Sequence, residues 1–277
     1  MTCVVCGADR WRQRVSVGEW SYVACESCEL TRVEPFPSSE DAEAMYGDDY
    51  FTAAANAGYD DYTADASVHR RNGRGRLGRL GPPNRPGARL VDVGCAFGYT
   101  LLEAREAGWD PAGVDANASA RQAVRDAGMP CAARLSDLDL DASSVDAVTF
   151  FQSLEHIPDP RAALAEARQL LTDDGSILIE TWDRSSRTAR AMGRHWQQLS
   201  PPSVLWLFDQ QTMAALARET GLRVDAWRWS TKWVTLGLVM GQVGEGPSSG
   251  SRMRSRMRGL PLPYFLDDLV TVRLRPA

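Results

Sequence analysis

Residues 90–101 combine the features most directly suited to chemistry, in the order Leu-Val-Asp-Val-Gly-Cys-Ala-Phe-Gly-Tyr-Thr-Leu. The apolar residues at 90–93, interrupted by Asp92, are typical of a buried parallel strand. Gly94 and Gly98 allow a turn in which the backbone approaches a ligand closely, and a helix is predicted to begin near Tyr99. A strand, a glycine turn and a helix N-terminus at the carboxyl edge of a sheet predict a nucleotide-binding corner.

A second acid follows at a spacing that fits a nucleotide. Asp115 ends the next predicted strand, 17 residues after Gly98, where its carboxylate can accept hydrogen bonds from both hydroxyls of a ribose. The two features together indicate an adenosine-containing cofactor. A dinucleotide dehydrogenase needs a third glycine three residues after the second. With Ala96 in the second position, that residue is Tyr99, so a dehydrogenase is disfavoured.

The pattern resembles the first motif of the class I S-adenosylmethionine-dependent methyltransferases, hydrophobic-hydrophobic-Asp-hydrophobic-Gly-x-Gly-x-Gly. Ala96 replaces the middle glycine, and because alanine is the mildest change we expect binding to survive. The resemblance implies that Asp92, Gly94 and Gly98 hold the methionine part of the cofactor. It also implies that Asp115 holds the ribose. Further cofactor contacts are expected from Leu135 and Ser136, which border the adenine, and from Cys95, Ala116, Phe151, Gln152, Tyr59 and Tyr62.

The N-terminal segment contains two Cys-x-x-Cys pairs, Cys3 with Cys6 and Cys25 with Cys28. Eighteen residues separate the pairs, and four thiolates at this spacing fit a tetrahedral zinc ribbon with a hairpin at 15–23. The alternative is two unrelated redox pairs or disulfides. A ribbon this small cannot fold on its own apolar core, so the zinc is expected to be structural.

Glu155 and His156 follow a predicted core strand at 147–152. The carboxyl end of a strand is where open α/β sheets bind ligands. A histidine there can take a proton from a hydroxyl or an acidic carbon, and a neighbouring carboxylate can fix its tautomer or raise its pKa. These properties make His156 a candidate general base. The alternative is that His156 merely caps the helix that starts after Pro158.

Three features narrow the resemblance: the Leu-Glu-His-Ile-Pro-Asp-Pro stretch at 154–160, the four-cysteine ribbon and a tyrosine-rich connector. Together they resemble bacterial methyltransferases of sugar and natural-product pathways. In the nucleotide-sugar C-methyltransferases the pair matching Glu155 and His156 lies at the reacting centre. Ubiquinone-pathway O-methyltransferases share this pair, and some hold a metal with an added acid three positions before the glutamate. That position is Gln152 here, which disfavours a catalytic metal.

A second block, residues 194–208, resembles the substrate-side loop of the family. It contributes His195 as a second candidate catalytic residue. Related sequences often have histidine where this chain has Val204. The aromatic residues Trp196, Trp206 and Phe208 either line an apolar or sugar-stacking pocket or pack the loop onto the sheet, and the sequence leaves both options open.

From residue 89 strands and helices alternate, which predicts an α/β fold, a Rossmann-like seven-stranded sheet with helices on both faces. The predicted domains are a zinc ribbon at 1–36, a helical tyrosine-rich connector at 37–86, and a methyltransferase domain at 87–277 with a mobile excursion near 243–260. Strands are predicted at 89–93, 111–115, 129–133, 147–152, 176–181, 223–229 and 269–274. Helices are predicted at 70–79, 101–107, 118–127, 161–171 and 212–220.

The amino-acid composition disfavours several classes of function. The 44% apolar and 24% charged residues are typical of a globular protein, and the sequence has neither an apolar run of about 18 residues nor a signal peptide, so a cytoplasmic enzyme is expected. A net charge of −5 argues against nucleic acid as the partner and favours a small-molecule acceptor. The single lysine, Lys232, is interpreted as compositional bias.

Two rival functions remain open at this stage. One is an RNA base methyltransferase with a zinc module, in which the arginines at 70–89 and 252–258 contact phosphates. The other is a non-catalytic scaffold that binds the cofactor or a partner, which Ala96 and Val204 favour. The sequence does not determine the acceptor, the choice between O-, N- and C-methylation, or the oligomeric state.

Overall fold

The computed structural model describes residues 1–47, 63–236 and 260–277. Tyr59, Tyr62 and the excursion expected near 243–260, apart from Leu260, lie outside the described residues. Among the helices of the described ranges, none is both long enough and apolar enough to cross a membrane.

The described elements follow one another in three segments of chain. The strands are β1 (Trp11–Val17), β2 (Trp20–Cys25), β3 (Thr31–Glu34), β4 (Arg89–Val93), β5 (Asp110–Val114), β6 (Cys131–Ala132), β7 (Val145–Phe151), β8 (Leu171–Trp182), β9 (Trp206–Leu207), β10 (Leu222–Trp229), β11 (Lys232–Thr235), β12 (Pro261–Tyr264) and β13 (Leu269–Pro276). The helices are α1 (Ser39–Ala44), α2 (Ala66–Leu80), α3 (Tyr99–Glu106), α4 (Ala118–Asp126), α5 (Pro160–Leu170), α6 (Arg187–Met192) and α7 (Gln210–Glu219). Short 3₁₀ turns occupy Leu135–Asp137, Leu154–His156 and Gly193–His195.

A seven-stranded sheet forms the centre of the molecule, in the order β10-β13-β8-β7-β4-β5-β6. Strands β4 to β8 pair in parallel, whereas β13 pairs antiparallel with β8 on one side and β10 on the other. The predicted Rossmann-like seven-stranded sheet is therefore confirmed. The last strand lies between β8 and β10 and does not end the sheet at its edge.

Burial and capping explain why these segments take these structures. All seven residues of β7 are buried, as expected for a central strand covered on both faces. The helices α4, α5 and α7 begin at Asn117, Asp159 and Asp209, whose side chains accept hydrogen bonds from backbone N–H groups in the first turn. These caps set the point at which each crossover leaves the carboxyl edge of the sheet.

The basic helix predicted at 70–79 is α2, and it packs against α3. Its buried side contains Val68, Gly73 and Leu77. A Cβ atom on Gly73 would lie 3.1 Å from Cα of Thr100, so this glycine allows the two helices to approach closely. The close approach brings one end of α2 to the carboxyl edge of the sheet.

The cysteine-rich segment forms a second sheet, which strand β9 from the larger domain extends. Strands β1, β2 and β3 pair antiparallel in sequence order, and β9 adds a fourth strand, with Arg32 opposite Trp206. The hydroxyl of Tyr22 on β2 also donates to the carbonyl of Val204, at 2.9 Å. The ribbon is thus joined to the larger domain by backbone pairing that the sequence pattern did not predict.

The aromatic residues of the 194–208 block pack between these two parts. Trp196, Trp206 and Phe208 are buried, and all three belong to the apolar core that the ribbon and the seven-stranded sheet share. The ring centroids of Trp206 and Phe36 are 5.2 Å apart. The sequence left open whether these residues line a pocket or pack the loop onto the sheet, and in the structure they pack the loop onto the sheet.

Candidate active site

A cavity of about 380 Å³ lies at the carboxyl ends of β4, β5 and β7, the edge where open α/β sheets bind ligands. Six of the expected cofactor contacts line it, Gly94, Asp115, Ala116, Leu135, Phe151 and Gln152, and so does the candidate base His156. Asp92, Cys95, Gly98 and Ser136 do not line it. Five residues that the sequence did not single out as site residues also face the cavity, Tyr46, His69, Asn72, Arg76 and Lys232.

The glycine turn after β4 takes left-handed backbone conformations at three positions, with φ of 81° at Gly94, 46° at Ala96 and 75° at Gly98. A Cβ atom would lie 2.5 Å from Cβ of Ser153 at position 94 and 2.8 Å from Cγ2 of Val124 at position 98, so both glycines are required. Ala96 takes this left-handed conformation at a cost of about 1 kcal/mol. The turn therefore forms with alanine in the middle position.

Asp115 holds this turn in place. One carboxylate oxygen accepts from the N–H of Ala96 at 2.7 Å, and the other accepts from the N–H of Asn117 at 2.9 Å. Burial raises the pKa of Asp115, and the two backbone hydrogen bonds oppose that rise. Each carboxylate oxygen keeps further lone-pair capacity toward the cavity. Asp115 can therefore organise the turn and accept hydrogen bonds from a ligand.

Asp92 and Cys95 lie behind the cavity wall. Asp92 is buried beneath the turn, where it accepts a hydrogen bond from Oγ1 of Thr149 at 2.7 Å. Burial raises its pKa to about 6. The sulfur of Cys95 is buried 3.8 Å from that of Cys131. Neither residue faces the cavity; both lie behind the glycine turn.

His156 lies in the 3₁₀ turn after β7 and lines the cavity. Its Nδ1 is 2.6 Å from the carbonyl oxygen of Ser203. Because a carbonyl can only accept, Nδ1 must carry a hydrogen, and in the neutral ring Nε2 then has the free lone pair. The ring of Tyr46 packs edge-on at 5.9 Å between centroids. The imidazole is therefore held in a tautomer that can accept a proton at Nε2.

The carboxylate of Glu155 does not supply the interaction that fixes this tautomer. It is buried and accepts from Oγ1 of Thr181 at 3.0 Å, while its second oxygen has no hydrogen-bond partner among the described residues. Burial raises the pKa of Glu155. The carbonyl of Ser203 takes the orienting role that the sequence suggested for the neighbouring carboxylate.

His195 is exposed at the end of a 3₁₀ turn, where Arg194 contacts its Nε2. It does not line the cavity. The structure thus separates the two histidines that the sequence offered as bases and brings only His156 to the cofactor corner.

A buried network of charges closes the opposite wall of the cavity. Glu180 on β8 accepts two hydrogen bonds from Arg76, at 2.9 and 2.6 Å, and one from Nε2 of Gln152 at 2.9 Å. Burial by itself raises the pKa of Glu180, but the charge and hydrogen bonds of Arg76 outweigh it, so the pKa lies below its ordinary value. Lys232 donates to Oε1 of Gln152 at 2.8 Å.

The short strand β11 is attached to α2 by a reciprocal pair of hydrogen bonds. The N–H of Trp233 donates to the side chain of Asn72 at 2.7 Å, and that side chain donates to the carbonyl of Trp233 at 2.8 Å. Nearby, His69 stacks on Tyr99 with ring centroids 5.7 Å apart. Burial, with the charges of Arg76 and Lys232, lowers the pKa of His69 to about 3. This histidine is therefore neutral near pH 7.

Residues 66–226 of the chain match the protein family described as "Methyltransferase domain". The match spans more than half of the chain. The chain belongs to this family. The expected resemblance to the class I S-adenosylmethionine-dependent methyltransferases is thereby confirmed.

Curated relatives of this methyltransferase-family chain are similar over part of their length. It is 32% identical over 107 residues to a ubiquinone biosynthesis O-methyltransferase of Methylococcus capsulatus, covering 36% of this chain and 45% of that protein. It is 26% identical over 158 residues to the enzyme of that name from Alkalilimnicola ehrlichii, covering 49% and 64%. The chain thus spans about half of the length of these relatives.

Solved methyltransferase structures share the fold at low identity. The 1,6-didemethyltoxoflavin-N1-methyltransferase of Burkholderia thailandensis, solved with its substrate and S-adenosylhomocysteine, has a TM-score of 0.54 at 16% identity. The superposition covers 96% of this chain and 99% of that chain. A putative methyltransferase of Bacillus halodurans has a TM-score of 0.55 at 11% identity, covering 75% and 100%. These likenesses support the fold.

Four sulfur atoms meet in the ribbon of the methyltransferase chain, those of Cys3, Cys6, Cys25 and Cys28. All four lie within 4.8 Å of one another. The sulfurs of Cys3 and Cys28 are 3.5 Å apart, as are those of Cys6 and Cys25. None of the four residues lines the cavity at the sheet edge.

The buried Asp92 predicts a stability that depends on pH. Its folded-state pKa of about 6 exceeds the ordinary 3.8, so its stabilising contribution is complete below pH of about 4 and is lost as pH rises through about 6. Asp92→Asn should therefore raise the free energy of unfolding at pH 7.5 by about 1–3 kcal/mol, a gain that should shrink toward pH 4. Urea unfolding at several pH values measures this.

Asp110→Asn is the matched control, because Asp110 is an exposed acid at the start of the neighbouring strand β5. It should leave the free energy of unfolding within about 0.5 kcal/mol of the wild type. If Asp92→Asn gives the same gain at every pH, the titration assigned to Asp92 is wrong.

Proposed function

We propose that the protein transfers the methyl group of S-adenosylmethionine to an oxygen of a small-molecule acceptor, with His156 as the general base. The observation that carries the proposal is the position of His156. His156 lines the same cavity as the Asp115-bound glycine turn, and its Nδ1 contact with Ser203 leaves Nε2 as the proton-accepting nitrogen. A proton acceptor and a cofactor corner thus share one space.

The cofactor half of the cavity has the groups that S-adenosylmethionine needs. Asp115 would accept hydrogen bonds from the ribose hydroxyls, and Gly94 and Ala96 would lie against the methionine part. Leu135 would border the adenine. All four residues line the cavity. Because Asp115 already binds the turn, the ribose contact and the shape of the turn depend on the same carboxylate.

The main contribution of the protein to this reaction is to position the methyl donor and the acceptor. Bound S-adenosylmethionine would supply an already activated methyl group, with S-adenosylhomocysteine as the leaving group. The residues of the cavity would orient the acceptor oxygen in line with that methyl group, and Nε2 of His156 would take the proton that the acceptor oxygen loses. The carbonyl of Ser203 then stabilises the imidazolium through Nδ1.

The acceptor is proposed to be an intermediate of natural-product or sugar metabolism, with O-methylation favoured over C-methylation. The curated relatives carry the name O-methyltransferase, which supports the choice of oxygen. Phe151, Trp233 and Tyr46 line the cavity. These aromatic walls suit a planar organic acceptor better than a free sugar.

The rival RNA substrate receives no support from the described part of the chain. Arg70 is paired with Glu103 and Glu106, and Arg74 is paired with Glu103. Arg76 is committed to the buried Glu180. Phosphate contacts by these arginines would first have to break these ion pairs. The arginines at 252–258 lie outside the described residues.

We also propose that the four cysteines hold one structural zinc ion. A tetrahedral zinc with bonds of about 2.3 Å places thiolate sulfurs slightly under 4 Å apart, which the two 3.5 Å pairs and the 4.8 Å limit accommodate. Zinc would replace weak S–H contacts by four metal–sulfur bonds and join the turn that precedes β1 to the turn that follows β2.

Substitution of Asp115 tests the cofactor site. Asp115→Ala should weaken S-adenosylhomocysteine binding by about 1–3 kcal/mol, because the ribose hydroxyls lose their acceptor and the N–H of Ala96 loses its partner. Isothermal titration calorimetry measures the affinity. Asp126→Ala, which removes an exposed acid of α4, is the control and should bind as the wild type does. Unchanged affinity in a folded Asp115 variant would place the ribose elsewhere.

Substitution of His156 tests the base. His156→Ala should lower kcat by about 10²–10⁴-fold and leave the affinity for S-adenosylhomocysteine nearly unchanged, because only proton removal is lost. The acceptor for this assay comes from a screen with methyl-labelled S-adenosylmethionine. His195→Ala is the matched control and should keep wild-type turnover, since His195 is outside the cavity. A loss below tenfold in His156→Ala, or an equal loss in both variants, would refute the assignment.

Metal analysis tests the zinc proposal. The purified protein should contain about one zinc per chain, and Cys25→Ser should lose it and unfold the ribbon. Cys131→Ser is the control because Cys131 is buried beside Cys95 and outside the four-sulfur cluster. Free thiols at all four positions in a metal-free, folded protein would overturn the proposal.

A further inference from the structure

Lys232, the only lysine of the chain, lies half-buried in the wall of the cavity. It stands at the start of β11, which α2 holds in place through Asn72 and Trp233. Its ammonium nitrogen lies 4.6 Å from the ring centroid of Trp182. An ammonium that is partly withdrawn from water needs compensation from the groups around it.

The hydrogen bonds of Lys232 are incomplete within the described part of the chain. An ammonium has three donors, and Lys232 uses one of them, toward Oε1 of Gln152 at 2.8 Å. The side-chain amide of Gln152 cannot rotate to provide a second acceptor, because its Nε2 donates to Glu180. Glu180 in turn accepts from Arg76 on one oxygen and from Ser230 on the other. Two donors of Lys232 therefore have no acceptor among the described side chains or carbonyls.

The surrounding charges compensate this ammonium only in part. The charged and titratable groups that face it come from every element packed around it, namely Glu180 on β8, Glu155 after β7, Asp268 before β13, Tyr264 on β12, and Arg76 and His69 on α2. Glu180 is already paired with Arg76, and Asp268 already accepts from Trp196 and Tyr264. Burial lowers the pKa of Lys232 to about 8, and the nearby acids oppose this only partly.

We propose that the ammonium of Lys232 binds a phenolate oxygen of the acceptor, distinct from the oxygen that His156 would deprotonate, on the wall of the cavity formed by β11 and α2. The proposal rests on the proposed function for the identity of the cavity, and it adds the class of acceptor. A phenolate would accept from the two donors that lack a protein partner and would neutralise the ammonium. The aromatic wall at Trp233 and Phe151 would contact the ring. No bond to the amine forms or breaks.

Binding of a phenolate by Lys232 would shift the pKa of the phenol and the pKa of the lysine, and both shifts can be measured. If the ammonium stabilises a bound phenolate, the pKa of the phenol must fall on binding, and by linkage the pKa of Lys232 must rise by a related amount. 4-Nitrophenol is a suitable probe, because its phenolate absorbs visible light and its phenol does not. S-Adenosylhomocysteine at saturation confines the probe to the acceptor half of the cavity.

The first measurement is the absorbance titration of bound 4-nitrophenol in four proteins. In the wild type the pKa of the bound phenol should lie at least about one pH unit below that in Lys232→Met, a tenfold change in the ionisation constant. Lys232→Arg keeps the charge and should retain most of the shift. Arg228→Met removes an exposed charge from the adjacent strand β10 and should titrate as the wild type does.

The second measurement uses the fact that the chain has one lysine. Protein grown with ¹³C-labelled lysine should give a single side-chain NMR signal that titrates near pH 8, and this midpoint should move upward when 4-nitrophenolate binds. Neutral 4-nitroanisole should leave the midpoint unchanged. Both measurements use the full chain with S-adenosylhomocysteine bound.

Three results would overturn the proposal. The first is that the bound phenol has the same pKa in the wild type and in Lys232→Met. The second is that the wild type does not bind 4-nitrophenolate at millimolar concentration. The third is that binding becomes tighter as the pH rises above the titration midpoint of Lys232. The last result would make the neutral amine, and not the ammonium, the binding form. Calorimetry with S-adenosylhomocysteine separates these outcomes from failure of the cofactor site, because only that failure abolishes cofactor binding in the wild type and in Lys232→Met alike.

Discussion

The buried carboxylate of Glu180 is the constraint on which the distal wall of the cavity depends. An ionised carboxylate inside the sheet is costly unless it is paired and fully hydrogen-bonded. Arg76 from α2, Gln152 from the end of β7 and Ser230 from the turn after β10 meet this need. The requirement brings α2 to the carboxyl edge of the sheet. Because α2 also binds β11, the same carboxylate indirectly places Lys232.

The two halves of the cavity offer different polar groups. The half built on β4 and β5 has the carboxylate of Asp115, which accepts from two backbone N–H groups and can also accept from ribose hydroxyls. The half built on α2 and β11 contains Arg76 and Lys232. His156 stands at the carboxyl end of the central strand β7, facing the same cavity as both halves. The phenolate contact proposed for Lys232 and the proton transfer proposed for His156 would therefore occur in one cavity.

What the sequence predicted was local. The strand, turn and acid of the cofactor corner lie within 26 residues, from Leu90 to Asp115, and their backbone needs can be read from glycines and strand patterns. Arg76 and Lys232 were missed as site residues because their common partner Glu180 is about a hundred and about fifty residues away, and nothing local marks such a pair. His195 lies outside the cavity, and the sequence could not show this because a histidine in a loop carries no information about which way the loop faces.

The ribbon is hydrogen-bonded to a short backbone segment that also contacts His156. Tyr22 of β2 donates to the carbonyl of Val204, and the N–H of Val33 of β3 donates to the carbonyl of Leu205. The next carbonyl upstream, that of Ser203, is the group that fixes the tautomer of His156. The cysteine-rich ribbon and the imidazole of His156 are thus connected through the backbone of residues 203–205. A ribbon that loosens would release the Ser203 carbonyl before it disturbed the glycine turn, because the turn takes its hydrogen bonds from Asp115 and Val114 of the large sheet.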